Sequence, residues 1–513
     1  MTELLPYIIP ELSLMIAAAV LFVLGASVQP AARRAAPVIA LLALIVAFVS
    51  AILSDVQGSV NKDSLSITGF SVYIKTIATA VGALFVLLAW PTSPAGDGNR
   101  SINFSTETGE YFALLLLAIS GICVTASANS LPTLFLGIEL ASIPTYIMVT
   151  MSRPQEVAQE AGVKYFFLGA VSAAIMLFGM SYLFGVTGHM ELTAITASIH
   201  DQLSSGVASP VLLLLAMVLI VTSFLFKLAA APLHFYAGDV YQGAATPVTA
   251  AIAFIPKVTG TVALMKILYV AGAGTWAFDP KLAKMLWIIA LLTMTVGNIL
   301  GLLQYNVKRV LAYSSIAHSG YILVGLVTVM YAGQQVFRDG ALGAVAFYLL
   351  AYGLMNTAAF GVLMLLPART NAPATTAETY DDLAGIGRKR PILGLAMAIA
   401  CFSLIGMPMT VGFFGKLYLI RPAIQSGEPM LIWLAVFTMI NAAISAAYYL
   451  KIVATMFAKT APDDYDPTRE ERPVPVMAAV IVSVVTVLVL GVILPLAGGL
   501  YEQTTRVVQM LIG

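Results

Sequence analysis

Long apolar runs separated by short polar stretches repeat from one end of the chain to the other. A helix rises 1.5 Å per residue, so about 20 apolar residues span the roughly 30 Å of bilayer hydrocarbon. Runs of that order lie at 10–28, 36–54, 69–91, 109–127, 129–150, 163–186, 210–240, 244–272, 281–303, 311–331, 341–367, 391–420, 429–456 and 475–500. The pattern predicts an all-α integral membrane protein of about fourteen transmembrane helices. Asn129, Ser130 and Pro132 mark a turn that divides 109–127 from 129–150. Two runs carry helix breakers. In TSFLFKLAAAPLHFYAGDVYQGAATPVTAAIAFIPK, from Thr222 to Lys257, Pro232 interrupts the seventh run; in CFSLIGMPMTVGFFGKLYL, Gly406 and Pro408 interrupt the twelfth. Proline lacks an N–H and clashes with the preceding turn, so carbonyls are freed there that lipid cannot satisfy. Breaks of this kind belong beside protein or water.

Composition agrees with that reading. Of 513 residues, 60% are hydrophobic and 10% charged, with mean hydropathy +0.93. A net charge of +1 and no basic run argue against nucleic acid as a partner. Cys123 and Cys401 lie in apolar runs at unrelated spacing and read as buried thiols. The first run opens with Glu3 and Glu11 at or just before its start rather than a basic region, and reads as a retained span. The connections 368–391 and 459–474 are too short for a soluble core. The second is acidic and reads as a solvated loop.

Charge in the connections sets the expected orientation. Thirteen Lys and Arg follow odd-numbered runs, among them Arg153, Lys308, Arg309, Arg388, Lys389 and Arg390; six lie on the opposite side. The positive-inside rule then puts both termini outside.

Seven lysines remain inside the runs: Lys75, Lys164, Lys227, Lys257, Lys266, Lys416 and Lys451. Lys75 and Lys266 are near run ends and are expected to snorkel to the interface. Lys164, behind Arg153, Glu156 and Glu160, reads as an interfacial charge. Lys227, Lys257 and Lys416 stand deep, where a charge costs about 2.5–3.5 kcal/mol on insertion scales, and charges retained there mark ion paths. Lys227 precedes the break at Pro232, and Lys416 follows the break at Pro408 by eight residues. Two interrupted helices five runs apart, each with a central lysine, suggest inverted five-helix units, helices 4–8 and 9–13. The divisions expected are 1–108 (helices 1–3), 109–272 and 273–458 (the two units), and 459–513 (a loop and the last helix). Glu139, central in LPTLFLGIELASIPTYIMV, needs a neighbouring ammonium to stay ionised, and Lys227 is the candidate partner. His318, among Tyr313, Ser314, Ser315 and Ser319, offers a relay between the halves or a satisfied core histidine. His234 and the Tyr348, Tyr352 and Asn356 run carry less. No phosphate loop, metal-spaced cluster or nucleophile with its base is present in the sequence.

FKLAAAPLHFYAGDVYQGAATPVTA, with GIELASIPTY, KYFFLG, YSSIAHSGYI and GMPMTVGFFGK, resembles the antiporter-like membrane subunits of respiratory complex I (NADH:quinone oxidoreductase). The length argues against the largest of these subunits. Lys416, where the medium-sized one usually has glutamate, and EAGVKYFFLG are similar to the subunit N branch. The resemblance implies two inverted units with a half-channel each, Glu139 and Lys227 as a charge pair, Lys257 as the bridging residue and Lys416 facing the outward half-channel. Lys164 and His318 match weaker members of the polar chain. The eleventh run lacks the ionisable residue common there, leaving water, tyrosine or His318 to carry the path near Asn356. The resemblance also implies no cofactor in this chain: NADH, FMN, iron–sulfur clusters and quinone belong to partner membrane and peripheral subunits, and the chain itself meets lipid and protons in a bacterial inner membrane. The expected function is proton translocation as a subunit of the oxidoreductase. The rival reading is a subunit of a multisubunit sodium/proton antiporter. A stand-alone solute carrier would need a polar midplane pocket, and a scaffold would avoid central lysines.

Overall fold

The computed structural model describes residues 5–26, 30–54, 60–62, 64–90, 108–153, 156–205, 210–272, 279–366, 377–460 and 473–497. The chain is helical almost throughout, and twelve helices among the described residues are long and apolar enough to cross a membrane. The N-terminal group is α1 (Leu5–Gly25), α2 (Pro30–Leu53) and α3 (Gly69–Leu88), with a small antiparallel hairpin, β1 (Val60–Lys62) and β2 (Leu65–Ile67), before α3. Then follow α4 (Thr108–Ser127), α5 (Leu131–Met151), α6 (Glu156–Thr187), α7 (Leu192–Ser205), α8 (Pro210–Lys227), α9 (Ala237–Gly243) and α10 (Thr246–Ala271). The remainder is α11 (Pro280–Leu302), α12 (Val307–Tyr331), α13 (Gln335–Met364), α14 (Tyr380–Leu383), α15 (Ile386–Lys389), α16 (Pro391–Ile405), α17 (Val411–Gln425), α18 (Pro429–Ala458) and α19 (Val474–Ala497).

Local chemistry sets many of these ends. Thr68 and Ser71 form a capping box at the start of α3, Ser130 caps α5, Asp279 caps α11 and Asn306 caps α12. Pro132, Pro247 and Pro280 occupy first-turn positions, where the missing N–H costs nothing.

The expected seventh and twelfth spans each appear as two shorter helices. After Lys227 the chain turns through Ala229, at φ 52°, and the Ala231–Pro232 peptide is cis. Neighbouring helices satisfy the groups released here. Tyr236 Oη donates to the Phe226 carbonyl (2.8 Å), Ser319 Oγ of α12 donates to the Leu228 carbonyl (2.5 Å), and Ala231 N donates to Thr293 Oγ1 of α11 (2.9 Å). At the second break Gly406 takes the left-handed conformation, φ 92°, and the Gly406 and Met407 amides close a Schellman motif on Ser403 and Phe402. Gly412 then brings α17 hard against the end of α16: a Cβ there would meet the Ser403 carbonyl oxygen at 1.8 Å.

Burial sorts the helices. Every residue in the most apolar window of α10 is buried, and α12 and α13 are nearly as enclosed, whereas α1, α2, α6, α18 and α19 turn most of their surface outward. Lys75 departs from the snorkelling expectation. It is 1% exposed and reaches Glu11 Oε1 of α1 at 2.7 Å, because α1 packs across α4 and brings a carboxylate to the inner face of α3. The amphipathic α7, the hairpin, and the short α14 and α15 are elements that the hydropathy pattern alone does not announce.

Candidate functional site

Glu139, Ser142 and Tyr146 are spaced three and four apart on α5, so they line one face of that helix. Lys227, in the last turn of α8, lies against that face. Its Nζ is 3.3 Å from Glu139 Oε1, 2.8 Å from Ser142 Oγ and 3.1 Å from Tyr146 Oη, and stands 5.7 Å from the centre of the Tyr146 ring. Ser142 Oγ donates to the Ile138 carbonyl, which leaves its lone pairs to the ammonium. The Lys227 side chain is 3% exposed and that of Glu139 14%, so the carboxylate lies nearer the outer surface of the bundle.

Between Lys227 and Lys257 is a cavity lined by both lysines and by Tyr165, Tyr236, Tyr241 and Pro256, with room for a water molecule. Tyr165 and Tyr236 stack at 5.3 Å and fix its wall. Lys257, near the middle of α10, donates to the Ser315 carbonyl and to Ser319 Oγ (2.7 Å), and lies 5.0 Å over the Tyr352 ring. Ser315 Oγ pairs with Tyr241 Oη (2.8 Å) and accepts from Tyr352 Oη (2.9 Å). One turn of α12 therefore joins the break after α8 to the centre of α13.

His318 is on the same helix and is 1% exposed. Its Nδ1 pairs with Tyr348 Oη at 2.6 Å and its Nε2 with Tyr449 Oη at 3.2 Å; Tyr449 is also bonded to Ser314. Lys416 lies beyond. It donates to the Leu404 and Ile405 carbonyls at 2.9 and 2.7 Å, the free end of α16, where a cation also meets the negative end of the helix dipole. Its Nζ is 4.6 Å over the Tyr321 ring, whose hydroxyl accepts from Asn298, and Asn298 in turn bonds to Asn441 and Tyr448. Asn356 donates to the Ala250 carbonyl and lies to the side; tyrosines and His318 occupy the centre instead.

The structure thus brings Glu139, Lys227, Lys257, His318 and Lys416 into one buried polar line, with Pro232 and Pro408 at its two helix breaks. Lys164 is elsewhere. It is 43% exposed, paired with Glu160 (2.7 Å) and Asp239 (3.2 Å) beside Arg309. Sequence reasoning missed Ser142, Tyr146, Tyr165 and Tyr449, although the Glu139, Ser142, Tyr146 spacing is a readable signal. It also missed a buried triad, in which Glu378 meets Arg153 and Lys308, with Lys308 fully buried and donating to the Ala244 carbonyl (2.5 Å).

Residues 128–445 match the family described as NADH:quinone oxidoreductase/Mrp antiporter, transmembrane. NADH-quinone oxidoreductase subunit N of Trichlorobacter lovleyi is 39% identical over 84% of this chain and 82% of its own. The chain belongs to the subunit N family. Subunit N 2 of Roseiflexus castenholzii is 37% identical over 86% of this chain and 84% of its own. Among solved structures, a chain of respiratory complex I from Thermus thermophilus with bound aureothin superposes with TM-score 0.72 at 28% identity, covering 95% of this chain and 98% of that one. A chain of the Mrp complex from a Dietzia species shares the fold, with TM-score 0.75 at 21% identity over 98% of this chain and 99% of that one. The matched region holds all five residues of the polar line.

Proposed function

We propose that this subunit N family member carries protons across the membrane along the line Glu139, Lys227, Lys257, His318 and Lys416, as the proton-translocating membrane subunit of NADH:quinone oxidoreductase. The observation that carries the reading is the succession of buried ionisable and hydroxyl groups between the two helix breaks. Glu139 holds the proton on Lys227. When that attraction weakens, the proton crosses the water-sized cavity to the Lys257 amine, and Ser315, Tyr352, Tyr348 and His318 offer hydroxyl and imidazole steps toward Lys416. A tyrosine hydroxyl can accept one proton while donating another, so the step needs no net charge on the tyrosine.

NADH, FMN, the iron–sulfur clusters and quinone are held by partner subunits, and this chain supplies the proton path. Two inverted units, 109–272 and 273–458, organise it, with 1–108 and 459–513 flanking. The packing of α4 on α5 and of α11 on α12 supports the pairing of units, since glycines allow close approach in both: Gly121 against Ala141, and Gly297 against Ala317. The excess of Lys and Arg in the connections supports periplasmic termini in a bacterial inner membrane. The termini themselves lie outside the described residues.

The test is Lys257→Met in the assembled complex, with NADH oxidation and proton uptake followed together in inverted vesicles. Pumping falls if the line conducts. Undiminished pumping per NADH removes Lys257 from the path. A mild-detergent purification that yields flavin and iron–sulfur subunits separates this assignment from the sodium/proton antiporter reading.

A further inference from the structure

The line described above uses three of the buried lysines. Two more lie near the ends of α4 and α10. Lys75 of α3, 1% exposed, is 2.7 Å from Glu11 Oε1 and donates to the Tyr7 carbonyl at 2.9 Å; Ser127, the last residue of α4, donates to the same Glu11 oxygen at 3.4 Å. Lys266 of α10 donates to the Ala128 carbonyl at 2.9 Å and is half-buried, so its contact adjoins the Ser127, Glu11 and Lys75 cluster by one residue of the chain. The Ala128 turn is held in place by the hairpin, through the Leu65–Ala128 bridge and the bond from Asn129 N to the Ser64 carbonyl (2.8 Å). Glu11 pairs with Lys75 alone of the two lysines, and its second oxygen, Glu11 Oε2, is buried with no partner. Buried polar atoms left so are ordinarily met by water.

We infer that Glu11, Lys75 and Lys266 form a second proton-holding site, which delivers protons from Lys257 to solvent at the face where α4 and α10 end, apart from the Lys416 route. The inference rests on Lys257 being part of the path. Lys257 and Lys266 are nine residues apart on one helix, about 13.5 Å along its axis. Thr261 is one turn beyond Lys257 on the same face, and its Oγ1 is also buried and unpartnered. The nine-residue spacing turns Lys266 to the other side of α10, so the passage rounds the helix. The balance is simple: the Lys257 ammonium gives its proton through water to the Lys266 amine, and the Lys266 ammonium gives one to water at the face where α10 ends. The Glu11 and Lys75 pair beside that contact biases the last step, since protonating Glu11 leaves the Lys75 cation uncompensated.

The experiment uses the whole complex in inverted vesicles, with protons moved per NADH oxidised as the readout. Lys266→Met and Thr261→Val are expected to lower that ratio while NADH oxidation continues. Lys266→Arg, which keeps the charge but does not release a proton at usable pH, is expected to fall with them. In a background with Cys123 and Cys401 changed to serine, Thr261→Cys is expected to react with a small water-soluble methanethiosulfonate added from the side where α4 ends. An unchanged ratio in Lys266→Met, full recovery in Lys266→Arg, or an unreactive Thr261→Cys overturns the site and leaves a clamp between helices. Lys257→Met runs alongside: if it too leaves the ratio intact, the central path fails and not merely this branch.

Discussion

Shortening Glu139 by one methylene is the sharpest probe of the charge pair. With Oε1 at 3.3 Å from Lys227 Nζ and an effective dielectric of about 20, the attraction is about 5 kcal/mol before desolvation is subtracted. Glu139→Asp withdraws the carboxylate by about 1.5 Å, one carbon–carbon bond. The attraction then falls to about 3.5 kcal/mol, a difference of about 1.5 kcal/mol. Ser142 and Tyr146 remain to orient the ammonium, so the Asp variant should keep a measurable fraction of pumping, and Glu139→Gln should lose nearly all of it. Lys227→Met should match the Gln variant. The double variant should be no worse than the worse single one, because two groups acting as one switch are not additive. The assay is NADH-driven proton uptake in vesicles, normalised to complex content on native gels. Independent, multiplicative losses across the cycle would refute the pair.

Lys416→Ala should lower pumping in complexes that still assemble, and Lys416→Arg should not restore it, since guanidinium holds its proton; normal pumping in the Ala variant would make this lysine structural. Gly412→Ala should do comparable damage without touching a charge, because its Cβ must push α17 away from the Ser403 carbonyl and carry Lys416 off the end of α16; a variant with unaltered pumping and thermal stability would contradict the close packing. Glu378→Gln should destabilise the subunit by about 3–5 kcal/mol, as is usual when a buried pair loses one partner, and this is checked by complex yield and melting temperature. Cysteines placed at residues 1 and 513 should both react with an impermeant thiol reagent on right-side-out spheroplasts, and labelling of one end only would remove the fourteen-helix arrangement.

The fold was legible because its signals are local. A run of 20 apolar residues is a span whatever surrounds it, and Pro232, Gly406 and Pro408 mark breaks by their own backbone chemistry. Deep lysines were legible for the same reason: depth within an apolar run can be counted. Partners could not be counted. Lys75 looked close enough to a helix end to reach water, and only the packing of α1 shows that Glu11 covers it. Lys164 occupies a similar position in its own helix yet is exposed, meeting the Glu160 and Asp239 carboxylates at the surface. The tyrosines between Lys257 and Lys416 come from α12, α13 and α18, and no spacing along one helix brings them together. Arg153, Lys308 and Glu378 were seen in the sequence as loop charges, or not singled out at all, because their meeting depends on how three separate connections fold back on the bundle.

The burial of α10 bears on how the protein is made. This helix must pass into the bilayer with Lys257 and Lys266 aboard, Lys257 near its centre at about 2.5–3.5 kcal/mol on insertion scales, and in the finished fold its most apolar window has protein on every side. Among its neighbours, α3, α4, α5 and α8 precede it in the chain, and α12 and α13 follow. At the moment α10 is synthesised, Ala128 is already available to Lys266, but Ser315 and Ser319 do not yet exist to receive Lys257. A nascent chain halted before α12 should therefore hold α10 loosely, open to extraction by alkali and to quality-control proteolysis. Extension through Ser319 should lock it in.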